Sequence, residues 1–576
     1  MKLPILSEIE SSREMIDVFG GYNHNLRISN GEFYNMKNLS SSDYPVLSPR
    51  KRRGIYATPE KPQGLLAKDS LCYVDGENFI INGKTIPLGL TDGDKTLISM
   101  GAYVIIMPDK KYINTTDTSD CGPIESKVTS TGTVTFSLCR IDGDTYENYT
   151  ISSSAPRSPE NLALWLDTSS VPHTLKQYST TNAVWTAIAT TYIKISATGI
   201  GKSFSENDGV SISGCVGDAV ADLNSTAIIW ARGDDYIVVT GVLDKVTTQT
   251  APITIARQMP NMDFVIESGN RLWGCRYGAS VGGVTVNEIY ASKLGDFKNW
   301  NSFLGISTDS YAATVGTDGE FTGAVTHLGY PIFFKENCMH KVYGNYPSNY
   351  QIQTTTCRGV QKGCERSLAT VNEVLYYKAR SGVCIYDGSL PTEISSAFGE
   401  EAYGNAVAGS LGNKYYISMQ DTEKLWHLFV YDAKRGMWHR EDDTQATAFC
   451  SCNGDLFFID YADKLIKSVN GAGVAEGDVH WMAETGIIGT DSPDKKYVAR
   501  IDVRLSITVG TRVHFYVQYD SDGGWEHLFT MTGVSLRSFA VPIRPQRCDH
   551  LRLRIEGNGE AKIYSICKTI EQGSDM

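Results

Sequence analysis

The chain has 576 residues and a formal net charge of −12, from 53 basic and 65 acidic side chains. An acidic chain of this kind is not expected to grip nucleic acid over its whole surface, because phosphates carry the same sign of charge. Hydrophobic residues make up 41% of it, enough for packed cores, and the lack of any run of about 18 apolar residues predicts no membrane segment.

The first 60 residues are polar and show little regular pattern, so residues 1–60 are predicted to form an extended N-terminal arm. Ordering such a segment costs about 1–2 kcal/mol per residue of backbone entropy, and we expect it to order only against a partner. The arm contains the basic cluster Arg50, Lys51, Arg52 and Arg53. Two interpretations of this cluster are open: a clamp on an acidic partner surface or on DNA phosphates, or a solvated basic loop.

From residue 61 onward, pairs of short aromatic-rich strands joined by polar turns recur every few dozen residues. In 61–121 the turn Asp75-Gly76 separates two such strands, and in 256–475 the strand 374–377 precedes the strand 383–386. This spacing is typical of propeller blades. We therefore predict an all-β chain with a β-propeller formed by residues 61–121 and 256–475. We expect early and late strands to close it, with residues near 71–114 pairing with residues near 450–480.

Residues 122–255 have a different character, being rich in Ser and Thr with strictly alternating strands such as 192–196. Period-two alternation is typical of a sheet with one wet face, so this segment is predicted to be a β-sandwich inserted into the propeller. Trp165, Trp185 and Trp230 lie in it. They are either a platform for sugar rings, for glycan or fibre contact, or ordinary core residues, and the core is favoured.

The last part of the chain, residues 476–576, alternates again and is predicted to form a separate C-terminal β-sandwich. Strands are indicated at 499–505, 513–519 and 551–555. No long amphipathic helix is predicted anywhere in the chain.

The thirteen cysteines are scattered and odd in number, which favours buried free thiols in a reducing compartment. The apolar stretch at the start is too short for a secretory signal, so we expect the chain to fold in a cytoplasm. No cysteine or histidine spacing fits zinc, and the Asp-rich segments lack the ligand spacing of a calcium loop. We therefore expect no metal and no cofactor.

Enzymatic signatures are weak. No nucleophile elbow, zincin, phosphate-loop or dinucleotide motif is present. The segment 520–525 is similar to a sialidase Asp-box turn but is one residue short of its spacing, and it is interpreted as a hairpin turn. The adjacent acids 234–235, 400–401 and 442–443 are interpreted as solvated loop charges, because glycosidase carboxyls come from different segments across a cleft. We expect no catalytic residues.

Three segments carry a resemblance to a known family: 38–50 (NLSSSDYPVLSPR), 270–300, which includes NEIYASKLGDFKNW, and 542–550 (PIRPQRCDH). The chain resembles the β-propeller tail hub, nozzle and packaged-DNA stabilisation proteins of tailed bacteriophages. These strings recur in the family but are not catalytic motifs, and they cover the ends and the middle of the chain.

The resemblance implies a structural virion protein that forms a homohexameric ring below the portal or head–tail adaptor. Such a ring continues the DNA channel, retains the packaged genome and anchors tail fibres or distal tail proteins, while double-stranded DNA passes through its lumen without specific binding. The resemblance also implies synthesis in the bacterial host cytoplasm and a final location in the virion tail. The alternatives are a receptor- or glycan-binding tail protein and, less favoured, a propeller glycosidase that acts on host polysaccharide.

Overall fold

The computed structural model describes residues 11–279, 283–489, 495–544 and 546–572. Within these ranges the predicted all-β class is confirmed. The regular structure consists of strands and five short 3-10 helices, the latter at Ser41–Asp43, Ala221–Leu223, Pro347–Asn349, Glu365–Ser367 and Ser396–Phe398. No helix in these ranges is long and apolar enough to cross a membrane.

Seven antiparallel sheets follow one another along the chain and are numbered here sheet 1 to sheet 7. Aromatic and β-branched residues dominate their middle strands, which suits a pleated and buried surface. The strands of sheets 1 to 3 are Pro62–Lys68, Ser70–Asp75, Asn78–Ile81 and Lys84–Pro87; Thr96–Met100, Tyr103–Met107, Lys111–Asn114 and Cys121–Pro123; and Phe264–Ser268, Arg271–Ala279, Thr285–Ala291 and Tyr311–Thr314.

Sheets 4 to 6 have the same four-stranded meander, and sheet 7 takes a strand from the start of the chain. Their strands are Gly323–His327, Tyr330–Lys335, Cys338–Tyr343 and Gln351–Thr356; Ala369–Val371, Val374–Lys378, Val383–Tyr386 and Thr392–Glu393; Tyr403–Leu411, Lys414–Asp421, Trp426–Asp432 and Met437–Arg440; and Ala446–Cys452, Asp455–Asp460 and Ile466–Ser468 with Gly54–Ala57 and Val474–Ala475.

The first strand of each sheet lies against the first strand of a neighbouring sheet. The contacts join sheets 1 and 2, 2 and 3, 3 and 4, 5 and 6, and 6 and 7, and sheet 7 also contacts sheet 1. Between sheets 4 and 5 the 3-10 helix Glu365–Ser367 contributes to the junction. Apolar clusters fill the spaces between neighbouring sheets, for example Leu71 of sheet 1 with Phe457 of sheet 7.

Residues 126–257 form three further sheets between sheet 2 and sheet 3. Two of these sheets share one hydrophobic core that includes Phe136, Ile195, Ile212 and Ile255. The strands are Ser126–Thr129, Val134–Cys139, Thr150–Ser152, Leu164–Asp167, Thr174–Ser179, Val184–Ala187, Tyr192–Ser196, Gly209–Ser213, Thr226–Ile228, Ala231–Gly233, Tyr236–Thr240, Thr247–Gln249 and Thr254–Arg257.

The C-terminal strands pair with each other and with the N-terminal segment; we call all of these the terminal strands. They are not separate from the other sheets as predicted, because Gly21–Tyr22 also pairs with Met437–Arg440 and makes them continuous with sheet 6. Lys496–Tyr519 is long enough to pair with Ala561–Gln572 along its first half and with Leu551–Asn558 along its second half. The remaining strands of this group are Ser11–Ile16, Gly21–Tyr22, Glu32–Lys37, His480–Thr485, Glu526–Val541 and Arg547–Cys548, and a small separate ladder joins Leu39–Ser40 to Ser48–Pro49.

The prediction of an N-terminal arm that orders only against a partner is wrong for residues 11–57. Ser11–Ile16 pairs with the last strand Ala561–Gln572, and Glu32–Lys37 pairs with His480–Thr485. Phe33 and Met36 are buried in the largest core cluster. The segment is ordered because strands from the far end of the chain supply its backbone hydrogen bonds and its apolar contacts. Residues 1–10 lie outside the described ranges.

The expected pairing of early and late strands exists, and its late strands lie within the predicted residues 450–480, but the early strand is not the predicted one. Gly54–Ala57 pairs antiparallel with Ile466–Ser468 and with Val474–Ala475, whereas residues 71–114 belong to sheets 1 and 2. Gly54 fits this position because a Cβ there would meet the carbonyl oxygen of Ala472 at 2.1 Å.

Candidate functional site

The basic cluster lies immediately before the strand Gly54–Ala57 of sheet 7. The pairing of that strand brings the cluster beside the chain segment that connects sheet 6 to sheet 7, where Glu441 and Asp442 lie. Arg50 and Arg53 therefore meet acidic residues that are almost 400 positions away in the sequence.

Arg53 is 5% exposed, and both terminal nitrogens of its guanidinium have hydrogen-bond partners. Its Nη2 donates to Glu441 Oε2 at 2.7 Å, and its Nη1 lies 2.8 Å from Asp442 Oδ2 and donates to Thr444 Oγ1 at 3.0 Å. The guanidinium carbon also lies 5.3 Å from the centre of the Phe458 ring.

Arg50 reinforces the same group. Its Nε lies 3.8 Å from Glu441 Oε2 and its Nη2 3.6 Å from Asp442 Oδ2, and Nη1 binds Glu476 Oε1. We call Arg50, Arg53, Glu441, Asp442 and Glu476 the ion cluster. Two positive and three negative charges share it, so each guanidinium is neutralised within the chain.

The pKa values of the ion cluster follow from burial and pairing. Burial alone would lower the pKa of Arg53, but the carboxylates of Asp442 and Glu441 outweigh it and raise that pKa. Burial alone would raise the pKa of Asp442, but Arg53 and Arg50 lower it well below the usual range. The pKa of Glu476 is also lowered, against its burial, by Arg50 and by the backbone N–H of Arg53.

Both interpretations of the basic cluster are therefore wrong for two of its four residues. Arg50 and Arg53 are neither an exposed clamp nor a solvated loop, because they are buried in ion pairs. Lys51 and Arg52 are exposed, and Arg52 forms an ion pair with the half-exposed Asp478. The interpretation of Asp442 as a solvated loop charge is wrong for the same reason.

Next to the ion cluster lies a cavity of about 520 Å³, which we call the basic cavity. Three loops surround it: the segment after the strand Leu39–Ser40, the hairpin 411–414 of sheet 6 and the hairpin 432–435 of sheet 6. Its charged lining residues are Arg50, Lys51, Arg53, Lys414, Lys434, Arg435, Asp432 and Glu441. Six cations thus face two carboxylates in a chain that is acidic as a whole.

The ammonium group of Lys414 is held in place by two hydrogen bonds to the N-terminal segment. Its Nζ donates to Ser40 Oγ at 3.0 Å and to Ser42 Oγ at 3.1 Å. Burial lowers the pKa of Lys414, opposed by Glu441 and Asp432 and assisted by the positive charge of Lys51. Lys414 could not be singled out from the sequence, because it opens an ordinary apolar strand.

The three tryptophans of residues 126–257 do not form one surface. Trp165 is 5% exposed, donates from Nε1 to Ser152 O at 2.9 Å and packs edge-on against Trp185 at 5.4 Å between ring centres. Trp230 is half-buried, lies just before the strand Ala231–Gly233 of another sheet, and donates from Nε1 to Thr240 Oγ1. Trp165 is therefore a core residue, and no ring contact between described residues links Trp230 to the other two.

The acidic pairs 234–235 and 400–401 and the Asp-box-like turn at 520–525 belong to different parts of the fold. Asp234, Asp235, Glu400 and Glu401 are exposed. Asp520 lies in a tight turn and accepts hydrogen bonds from the backbone N–H groups of 549 and 550. No group of three or more metal-ligating side chains occurs in the described part of the chain.

The segment 270–300, one of the three that carry the family resemblance, holds the inserted residues 126–257 against sheet 3. Asn299, 1% exposed, accepts a hydrogen bond from Gly209 N at 2.7 Å and donates to Asp208 Oδ1 at 3.3 Å. Asp208 in turn forms an ion pair with Arg257 at 2.5 Å. Arg271 is 1% exposed and donates to the carbonyl oxygens of residues 292, 307 and 309.

The other two segments also lie at junctions. Residues 38–50 connect the terminal strands to sheet 6, with Asn38 donating to His480 O and accepting from Arg50 Nε. In 542–550, Cys548 is buried beside Lys496, and the backbone of 549 and 550 anchors the turn at Asp520. Residue 545 lies outside the described residues.

No family model matches the chain, and no curated protein matches it. Solved structures with some likeness include an exo-β-1,3-galactanase from Phanerochaete chrysosporium, at 8% identity and a TM-score of 0.22 over 53% of this chain and 94% of that chain. PorZ, of the type-IX secretion system of Porphyromonas gingivalis, has 11% identity and a TM-score of 0.26 over 90% of this chain and 71% of that one. A Trypanosoma rangeli sialidase has 10% identity and a TM-score of 0.22 over 90% and 95%. Likeness at these TM-scores carries no inference about function.

Proposed function

We propose that this chain is a non-enzymatic structural virion protein of a tailed bacteriophage. It forms a tail nozzle or hub below the portal or adaptor, continues the DNA channel, retains the packaged genome and anchors other tail parts. The observation that carries this proposal is the resemblance of segments 38–50, 270–300 and 542–550 to that family. In this chain the three segments make buried contacts at the junctions between its parts.

The proposed architecture is a seven-bladed β-propeller with an inserted β-sandwich and a C-terminal β-sandwich. In this architecture sheets 1 to 7 are the blades. The proposal is supported by the contacts between the first strands of neighbouring sheets and by the contact of sheet 7 with sheet 1. The strand Gly54–Ala57 then completes the last blade with residues from the start of the chain.

Assembly into a homohexameric ring is supported by a long unpaired sheet edge. Glu526–Val541 pairs with Lys496–Tyr519 along one side only, among the described residues. Residues 528–536 of this edge carry no charged side chain. A long uncharged edge is a template for pairing with another chain, and head-to-tail contacts form a ring when the rotation between subunits closes.

The net charge supports a conduit through which DNA slides. Each subunit carries −12, so a lumen lined by part of this charge repels phosphates and reduces sticking of the genome during ejection.

The experiment is native mass spectrometry of the purified protein, alone and mixed with the head–tail adaptor, together with negative-stain electron microscopy. We expect six-subunit rings, either spontaneous or adaptor-dependent. A persistent monomer or trimer that ignores the adaptor would overturn the conduit proposal and favour the alternative, a peripheral receptor- or glycan-binding tail protein. A glycan array with the isolated chain would then test that alternative.

A further inference from the structure

We propose that the basic cavity is a binding site for a phosphate-bearing ligand. The inference does not depend on ring assembly, because every residue that carries it lies within one chain. It rests on the charge balance of the lining, on the position of Lys414 and on the size of the cavity.

The lining has more positive charge than the chain itself neutralises. Arg50 and Arg53 are paired with Glu441, Asp442 and Glu476. Of the remaining lining cations, Lys51, Lys414, Lys434 and Arg435, none lies within 4 Å of a carboxylate in the described part of the chain. The other acidic lining residue, Asp432, is already engaged in a tight turn.

Asp432 forms no ion pair within 4 Å with these cations, because its oxygens accept hydrogen bonds from the backbone and a hydroxyl, and its charge acts on Lys414 only at longer range. Its Oδ1 accepts from the backbone N–H groups of Lys434 and Arg435 at 3.0 and 3.2 Å, and its Oδ2 accepts from Ser41 Oγ at 2.6 Å. These bonds fix the hairpin that carries Lys434 and Arg435, so the two side chains emerge from a rigid turn at the rim of the cavity.

The ammonium group of Lys414 has a hydrogen-bond donor available for an anion. An ammonium has three N–H donors, of which two go to Ser40 and Ser42, and the third has no acceptor among the described residues. Glu441 and Asp432 act on this ammonium only from beyond 4 Å; a partly buried charge without a direct ion pair is costly, and an incoming anion offsets that cost. The lowered pKa of Lys414 agrees with this, since the site disfavours its charge until an anion is present.

The ligand class follows from the donors and the volume. Lysine ammonium groups, an arginine and serine hydroxyls are donors suited to phosphate oxygens. A cavity of about 520 Å³ is larger than a single phosphate group needs, which favours a ligand with several phosphates. Two sources share this chemistry, a soluble oligophosphate or nucleotide and a stretch of nucleic-acid backbone.

The test is isothermal titration of the full chain with tripolyphosphate and, separately, with a short duplex DNA at physiological salt. The variants are Lys414→Met, which keeps the apolar stem, and Lys434→Met, which changes only an exposed side chain. The matched control is Lys202→Met, an exposed lysine of the inserted residues. Thermal unfolding of each variant without ligand shows that the fold is retained.

We expect saturable binding of tripolyphosphate that weakens about tenfold to a hundredfold in Lys414→Met, the effect of losing one hydrogen bond from a charged group. Lys434→Met weakens it less, and Lys202→Met leaves it unchanged. If duplex DNA binds with the same dependence on Lys414 and competes with tripolyphosphate, the source is nucleic-acid backbone. The proposal would be overturned if neither tripolyphosphate nor duplex DNA bound saturably, or if Lys202→Met weakened binding as much as Lys414→Met.

Discussion

Replacement of Arg53 by Met should strongly destabilise the protein. Arg53 is 5% exposed and bridges Glu441 and Asp442 at 2.7 and 2.8 Å. Methionine keeps an apolar side chain but removes the guanidinium, including its contact with the Phe458 ring, so that two carboxylates in a largely buried environment lose their closest counter-ion.

The size of the effect follows from what remains. Removal of one partner from a buried ion pair costs about 3–5 kcal/mol. Arg50 stays near both carboxylates, but at 3.8 and 3.6 Å instead of direct contact, so the expected cost lies near the lower value, about 3 kcal/mol. The neighbouring residue Arg52 provides the control: its partner Asp478 and its own side chain are about half exposed, and loss of an exposed pair costs about 0–1 kcal/mol.

The measurement is urea unfolding of Arg53→Met, Arg52→Met and the unchanged chain, followed by tryptophan fluorescence and by circular dichroism. We expect Arg53→Met to lower the first unfolding midpoint clearly and Arg52→Met to shift it little. If both variants lose the same stability, the ion cluster does not hold Gly54–Ala57 in sheet 7 and the reasoning is wrong.

Three further outcomes are expected. The pKa values of Asp442 and Glu476 are lowered in the folded chain. The stability that these two carboxylates contribute is therefore fully present above the usual carboxyl pKa range and is lost as the pH falls from that range towards the lowered pKa values. The urea midpoint should therefore drop in acid, and by less in Arg53→Met. Removal of residues 1–53 should abolish cooperative unfolding, because Phe33 and Met36 leave the largest core cluster; a truncated chain that melts like the full one would contradict this. Asn299→Ala leaves the backbone N–H of Gly209 without its acceptor, at a cost of about 1–3 kcal/mol. Limited proteolysis should then cut residues 126–257 faster. An unchanged cleavage rate would show that Asn299 does not hold this junction.

The hairpins could be predicted from the sequence, because local sequence pattern determines which neighbouring strands pair. The strands 374–377 and 383–386 are continuous runs of apolar and aromatic residues on either side of a polar turn, and they pair as neighbours, with Leu375 opposite Tyr386. The same holds for the other hairpins of sheets 4 to 7, because strand pairs a few residues apart specify each other through turn chemistry and side-chain alternation.

Long-range pairing could not be predicted in this way. The strand Glu32–Lys37 mixes polar and apolar residues and finds its partner, His480–Thr485, near the other end of the chain. Arg53 meets Glu441 at a separation of 388 residues. A run of four basic residues has the same local pattern whether it is solvated or neutralised, since the pattern does not contain the position of the counter-ions.

The early and late parts of the chain are joined at one place by two kinds of interaction. Gly54–Ala57 adds backbone hydrogen bonds to the last sheet, and the ion cluster immediately before it adds buried charge pairs with the segment between sheets 6 and 7. Separation of this strand would therefore break its ladder and leave buried carboxylates unpaired in the same step. The basic cavity borders this junction on both sides, with Ser40 and Ser42 on the N-terminal segment and Lys414 on sheet 6. A phosphate-bearing ligand that contacts both sides binds only while they are together, so its binding free energy adds to the stability of the junction by mass action.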